Sequence, residues 1–130
     1  MDALELASRL AKQNSATVFL LTVIGAPPPA ATALPPVPLI PNPEFEAECR
    51  RRLEAVAQEK LTGVSYVVSV ASGNAAPEIL NLAAARKIDL IVMGTHGRTG
   101  VKHFLLGSVA ERVVRESPVP VLTIHPKAAE

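Results

Sequence analysis

The chain has 130 residues, 13 basic and 12 acidic side chains, one cysteine, and 48% hydrophobic but only 3% aromatic residues. That length fits one domain, residues 1–130, with a core that needs no disulfide or structural metal, and the near-zero net charge and scarce aromatics (Phe19, Phe45, Phe104, Tyr66) argue against nucleic acid as a partner. A lone Cys49 cannot close an internal disulfide, which fits a reducing, cytoplasmic setting, and no apolar run approaches the roughly 18 residues of a membrane span.

The first stretch, MDALELASRL, reads as an amphipathic helix over 2–13 rather than a signal peptide, because Leu4, Ala7, Leu10 and Ala11 recur at helical spacing. Asp2 with Glu5 three residues on fits a capping box. ATVFLLTVI (16–24) is short, apolar and β-branched, and so predicts a buried strand. Eight of the twelve prolines fall between Gly25 and Pro43, which excludes helix and sheet and predicts a loop insert over 26–43 with polyproline character. Its flexible-insert reading outweighs a docking segment.

Asn42 then caps a helix with Pro43 at its first position, running through FEAECRRRLEAVAQEKL to about Leu61. Cys49 reads as a small hydrophobe on it, and Arg50, Arg51 and Arg52 as a solvent-facing run. A strand over 64–71 follows. Gly73-Asn74 turns into a third helix, with Asn74 as cap, and IDLIVM (88–93) is a strand buried on both faces. The last helix spans Ser108 to about Glu116, and VPVLTI (119–124) is the last strand. Apolar strands alternating with helices predict an α/β fold with a parallel sheet covered on both faces and right-handed crossovers.

GTHGRTGVKHFLLGS (94–108) places four of the seven glycines at the junction between a strand end and a helix start. Open parallel sheets bind ligands at the carboxyl ends of their strands, and a helix start offers free amides and the positive end of the helix dipole. Gly94, Gly97 and Gly107 let the backbone approach a ligand without a Cβ in the way. Ser108 with Glu111 forms a second capping box, and its hydroxyl can face a phosphate oxygen. The combination describes a phosphate cradle built mostly of backbone. It is neither a P-loop nor a GxGxxG turn.

The pattern G-x2-G-x9-G-S, met at Gly94, Gly97, Gly107 and Ser108, together with DLIVMGTHGRTGVKHFLLGSVAERVVRESPVPVLTI, GNAAPEI and LELASRLAK, resembles the nucleotide-binding branch of the universal stress protein family. The resemblance covers most of the chain except the proline-rich insert. It implies a Rossmann-like, adenine nucleotide α-hydrolase-like three-layer sandwich, with a five-stranded parallel sheet in order 3-2-1-4-5. It implies ATP, or ADP or AMP, across the switch point, with Mg2+ held mainly by the nucleotide and Ser108. Gly94, Gly97, Arg98, Gly107, Ser108 and Val109 would hold phosphates and ribose, and Val23 and Met93 would lie by the adenine. A homodimer through the strand 119–124 is a further implication.

Family members open with a strand and an Asp-containing turn ahead of this first helix. The resemblance therefore implies a sheet lacking that central strand. Either the chain is a truncation from a misassigned start, or the gap closes in another way: the strands 16–24 and 88–93 would pair directly, or a second chain would supply a strand by exchange.

His96 reads as a loop or phosphate contact rather than a general base, since no acidic partner orients it in sequence. His103 and His125 read as solvent-facing, Arg98 and Lys102 as counter-charges to phosphate, and Asp89 as standing at the wrong strand end for magnesium. No Cys/His/Asp cluster suggests a structural metal. The reading is a nucleotide-binding sensor or regulator, without catalytic residues. Two alternatives are a weak ATPase or self-phosphorylating protein with Ser108 or Thr99 as acceptor, and a dimerisation module that has lost its ligand.

Overall fold

The computed structural model describes residues 2–25, 42–95 and 107–125. Helix α1 (Ala3–Asn14) starts where the Asp2 carboxylate accepts the Glu5 amide at 2.8 Å, satisfying one of the donors that a helix start leaves without an acceptor. Strand β1 (Thr17–Gly25) follows. Helix α2 (Pro43–Lys60) opens on Asn42, whose Oδ1 accepts the Glu44 and Phe45 amides at 3.1 and 3.2 Å. Pro43 stands at the first position, where its missing N–H costs nothing. Then come β2 (Ser65–Gly73), α3 (Ala75–Ala85), β3 (Ile91–Gly94), α4 (Ser108–Glu116) and β4 (Val121–Ile124). The element order and the α/β class are those read from the sequence.

The pairing is parallel. Thr17 lies opposite Ser65 and Gly25 opposite Gly73, while Ile91 lies opposite Val121 and Gly94 opposite Ile124. Each pair is joined through a helix, α2 or α4, as parallel strands require. The two pairs remain separate two-stranded sheets, β1-β2 and β3-β4. The direct pairing of 16–24 with 88–93 is therefore not what the chain adopts. Helices bridge the pairs instead: α1 touches both β1 and β3, and α3 touches β1, β2 and α4.

The segment expected as a strand over 88–93 becomes one only at Ile91, and the strand expected over 119–124 only at Val121. Prolines 118 and 120 have no N–H to donate. Val119 instead donates to Ser117 Oγ at 3.1 Å, in a local turn. The ladder thus starts with the Ile91 amide on the Pro120 carbonyl at 3.0 Å. Two caps also differ from expectation. Asn74 holds the cap position of α3 without a side-chain bond, and Gly107, not Ser108, caps α4.

The main core is aliphatic. Ala76, Ala83, Ile91 and Val113 are buried, with Ile79, Leu80, Ile88, Met93, Val119 and Val121 packed on them. Small residues on α3 bring it close to α4, so the core needs no aromatic ring. Ala57 and Leu61 are buried where α2 ends. The arginine run on α2 is exposed as expected. Arg51 and Arg52 pair with Glu48, and Arg50 Nη1 donates to the Val68 carbonyl of β2 at 3.2 Å. Tyr66 on β2 donates its phenol to Glu54 of α2 at 2.7 Å. No helix among the described residues is long and apolar enough to cross a membrane.

Two outcomes follow from this packing. Leu61→Ala, at a site 1% exposed, should cost about 2–5 kcal/mol in urea unfolding, whereas Phe45→Ala, 52% exposed, should stay within about 1 kcal/mol. Equal losses would contradict the burial described. The hydrogen bond to Glu54, helped by partial desolvation and the carboxylate's charge, holds the Tyr66 phenol above its ordinary 10.0. As the sole tyrosine in a chain without tryptophan, it can be followed by ultraviolet titration. Its midpoint should lie above 10.0 and fall in Glu54→Gln.

Candidate functional site

The carboxyl ends of β3 and β4 meet the amino end of α4 at one residue, Thr95. It directly follows β3 and is 0% exposed. Its amide donates to the Ile124 carbonyl at 3.0 Å, carrying the ladder one step past Gly94, and its carbonyl accepts the Gly107 amide at 2.7 Å. Its hydroxyl lies 3.2 Å from His125 Nδ1. One buried polar side chain, satisfied on all three groups, therefore ties two strand ends to a helix start. Thr95 and Gly107 flank residues 96–106, so the two ends of the glycine-rich segment are bonded to each other.

Gly107 caps α4 in extended backbone, φ −62° and ψ 159°. The first intrahelical bond runs from the Glu111 amide to the Gly107 carbonyl at 2.9 Å. The amides of Ser108, Val109 and Ala110 precede that bond, and among the described residues no side chain caps them. A glycine at the cap puts no side chain over these donors. Ser108 and Val109 are exposed while Ala110 is buried, so this end is anchored on one side and open on the other. The helix dipole adds positive potential there. The one acidic residue of the first turn, Glu111, is drawn toward the far end of α4 by Arg115 Nη1 at 2.9 Å. Exposed pairs of this kind contribute only about 0.3–0.5 kcal/mol, but the geometry points the carboxylate away from the open amides. The arrangement suits a small oxyanion such as a phosphate.

The sequence-based site residues divide into three groups. Gly94, Gly107, Ser108 and Val109 come together around this junction. Met93 lies in β3 opposite Thr123 and packs against the main core, while Val23 lies in the other sheet, opposite Ala71. His96, Gly97 and Arg98 lie outside the described residues, as do Thr99, Lys102 and His103. Asp89 is exposed and precedes β3, at the opposite strand end, as expected. Among the described residues, no group of three or more His, Cys, Asp or Glu could hold a metal.

Sequence reasoning passed over Thr95 and took His125 as merely solvent-facing. His125 is exposed, yet its ring meets Thr95. A polar residue between an apolar strand and a glycine-rich segment was the available signal, since a strand end that joins a loop buries polar atoms only if they are bonded. The GNAAPEI stretch has a steric reason of its own. Gly73 has φ +133°, and a Cβ there would come within 3.3 Å of Glu78 Oε1.

The sequence matches the model of the universal stress protein family over residues 1–125. It is 34% identical over 128 residues to universal stress protein MJ0531 of Methanocaldococcus jannaschii, covering 95% of this chain and 74% of that one. It is 33% identical to universal stress protein YxiE of Bacillus subtilis, covering 95% and 88%. The solved structure of hypothetical protein MJ0577 superposes with a TM-score of 0.64 at 27% identity, over 98% of this chain and 88% of that one. A universal stress protein solved in complex with cAMP superposes with a TM-score of 0.64 over 95% and 84%; at 24% identity that likeness shows the fold. A family match across nearly the whole chain, on an α/β frame of parallel strands, leads to one conclusion: this chain belongs to the universal stress protein family.

Proposed function

We propose that this chain binds an adenine nucleotide, ATP or its ADP or AMP relatives, at the amino end of α4, and works as a stress-response regulator rather than as a fast enzyme. The observation that carries the reading is the set of amides at Ser108, Val109 and Ala110, which no side chain of the described residues caps, behind a glycine and anchored to two strand ends through Thr95. Phosphate oxygens would take these donors and the Ser108 hydroxyl. The family's motif spacing adds Gly94 and Gly97 as points of close backbone approach, with His96 and Arg98 as phosphate contacts. Met93 and Val23 would border the adenine. The described residues hold no acidic cluster for a metal, so Mg2+ would come with the nucleotide and take the Ser108 hydroxyl.

Slow turnover fits the same geometry. Glu111, the only acid of the first turn of α4, is ion-paired with Arg115 and so is engaged away from the position of an attacking water. The strand β4 lies at a sheet edge with Leu122 38% exposed, and we assign a homodimer to that edge, within residues 119–124.

Calorimetric titration of the chain with Mg-ATP tests the proposal. Saturable binding is expected, and Gly107→Asp should weaken it about tenfold or more, because a carboxylate at the cap both occupies the amides and repels phosphate. No binding by a folded wild-type chain, or unchanged binding in the variant, would overturn the assignment. Phosphate release should not exceed that of the same variant; turnover well above it would make the protein an enzyme.

A further inference from the structure

His125 directly follows β4, as Thr95 directly follows β3. Thr95 is 0% exposed, and its Oγ1 lies 3.2 Å from His125 Nδ1. His125 itself is exposed, so its ring can exchange a proton with solvent. A neutral imidazole can donate or accept at Nδ1, whereas a protonated one can only donate. The threonine hydroxyl can serve as partner in either role. The contact therefore survives protonation, and the charge that arrives is kept at the junction instead of swinging away.

The same threonine leads to the start of α4. Its carbonyl accepts the Gly107 amide at 2.7 Å, and Gly107 caps the helix whose first amides belong to Ser108, Val109 and Ala110. Thr95 thus links the imidazole to the helix cap. The charged groups on the elements that meet here are already engaged. Strands β3 and β4 carry none. On α4, Glu111 pairs with Arg115 and Arg112 with Glu116, and Arg115 Nη2 lies 3.8 Å from Glu116. Among the described residues, His125 is the side chain at this junction of the type that gains charge as pH falls from about 7.5 to about 5.5.

We propose that His125, held by Thr95, couples proton uptake to anion binding at the amino end of α4. The imidazolium adds positive charge beside amides that already favour an anion. Anion affinity then rises as the ring gains its proton, and by reciprocity a bound anion draws a proton onto the ring. An exposed charge is screened by water and salt, so the gain is modest, about threefold or more in affinity at low salt. Thr95 is a positioning residue in this scheme, because it fixes the ring against the junction. A regulator built this way holds its phosphate ligand more tightly when its surroundings acidify. The inference rests on the anion site of the proposed function, but not on recognition of the adenine.

Sulfate is the probe, because it stays a dianion across this range while a terminal phosphate titrates within it. It is added to the full chain at low salt, at about pH 7.5 and about pH 5.5, and the Ser108 and Val109 amides are followed by NMR. Affinity should be about threefold or more tighter at the lower pH. His125→Gln, which keeps His96 and His103, should remove that gain. Thr95→Val, which removes the tether, should do the same, and Thr95→Ser should keep the gain. The ratio of affinities is taken within each variant, so a general loss of fit cancels. Four results overturn the proposal: no sulfate-dependent shift at Ser108 and Val109, no gain at the lower pH, a gain that His125→Gln leaves intact, or a gain as large in Thr95→Val as in Thr95→Ser. The third would assign the proton to His96 or His103. Calorimetry with Mg-ATP separates this coupling from the proposed function. ATP binding with a gain indifferent to His125→Gln sinks the coupling alone, whereas coupled sulfate binding without ATP binding sinks the nucleotide reading alone.

Discussion

A parallel strand pair satisfies only one edge of each of its members, and the consequences of that limit run through the whole molecule. Strands β1 and β2 complete each other over nine residues, and β3 and β4 over four. Neither pair completes the other. Cohesion between them falls to side-chain packing by α1, which reaches β1 and β3, and by α3, which reaches β1, β2 and α4. The cluster of Ala76, Ala83, Ile91 and Val113 is therefore more than filling. It is the place where the second strand pair, α3 and α4 share one apolar volume.

The same limit explains why the functional junction is built around a threonine. At the end of β3 the ladder has one partner strand, so the chain must use each remaining polar group with care. Thr95 spends its amide on β4, its carbonyl on the start of α4 and its hydroxyl on His125. The helix start is thereby held in place by backbone bonds and by the buried Ala110 and Val113, while no side chain of the described residues caps the amides in front of them. A rigid anchor beneath and helix-start donors above is a useful arrangement for an anion, because the donors need not reorganise when charge arrives.

Side-chain charge contributes less. The ion pairs of α4 join Glu111 to Arg115 and Arg112 to Glu116 on an exposed face. Such pairs add little stability in water. Their effect is directional: they keep the first-turn carboxylate engaged along the helix. Backbone geometry, rather than a dense cluster of basic side chains, defines the described part of this junction.

The sequence by itself determined the order and type of every element among the described residues. Hydrophobic period, proline and glycine placement and the Asp2 and Asn42 caps are local properties, and local hydrogen bonds enforce them. It also located the glycine-rich junction, since Gly94, Gly107, Ser108 and Val109 are close along the chain to the strand end or helix start that positions them. What the tertiary structure decided was everything that depends on a neighbour distant in sequence. Strands β3 and β4 are short because two prolines silence the start of one ladder partner, an effect read only once register is known. Ser108 yields the cap to Gly107 because Thr95 captures the Gly107 amide. The role of Thr95 and His125, and the separation of the two strand pairs, were invisible for the same reason. Each is a question of which edge meets which, and no periodicity within a single segment encodes the answer.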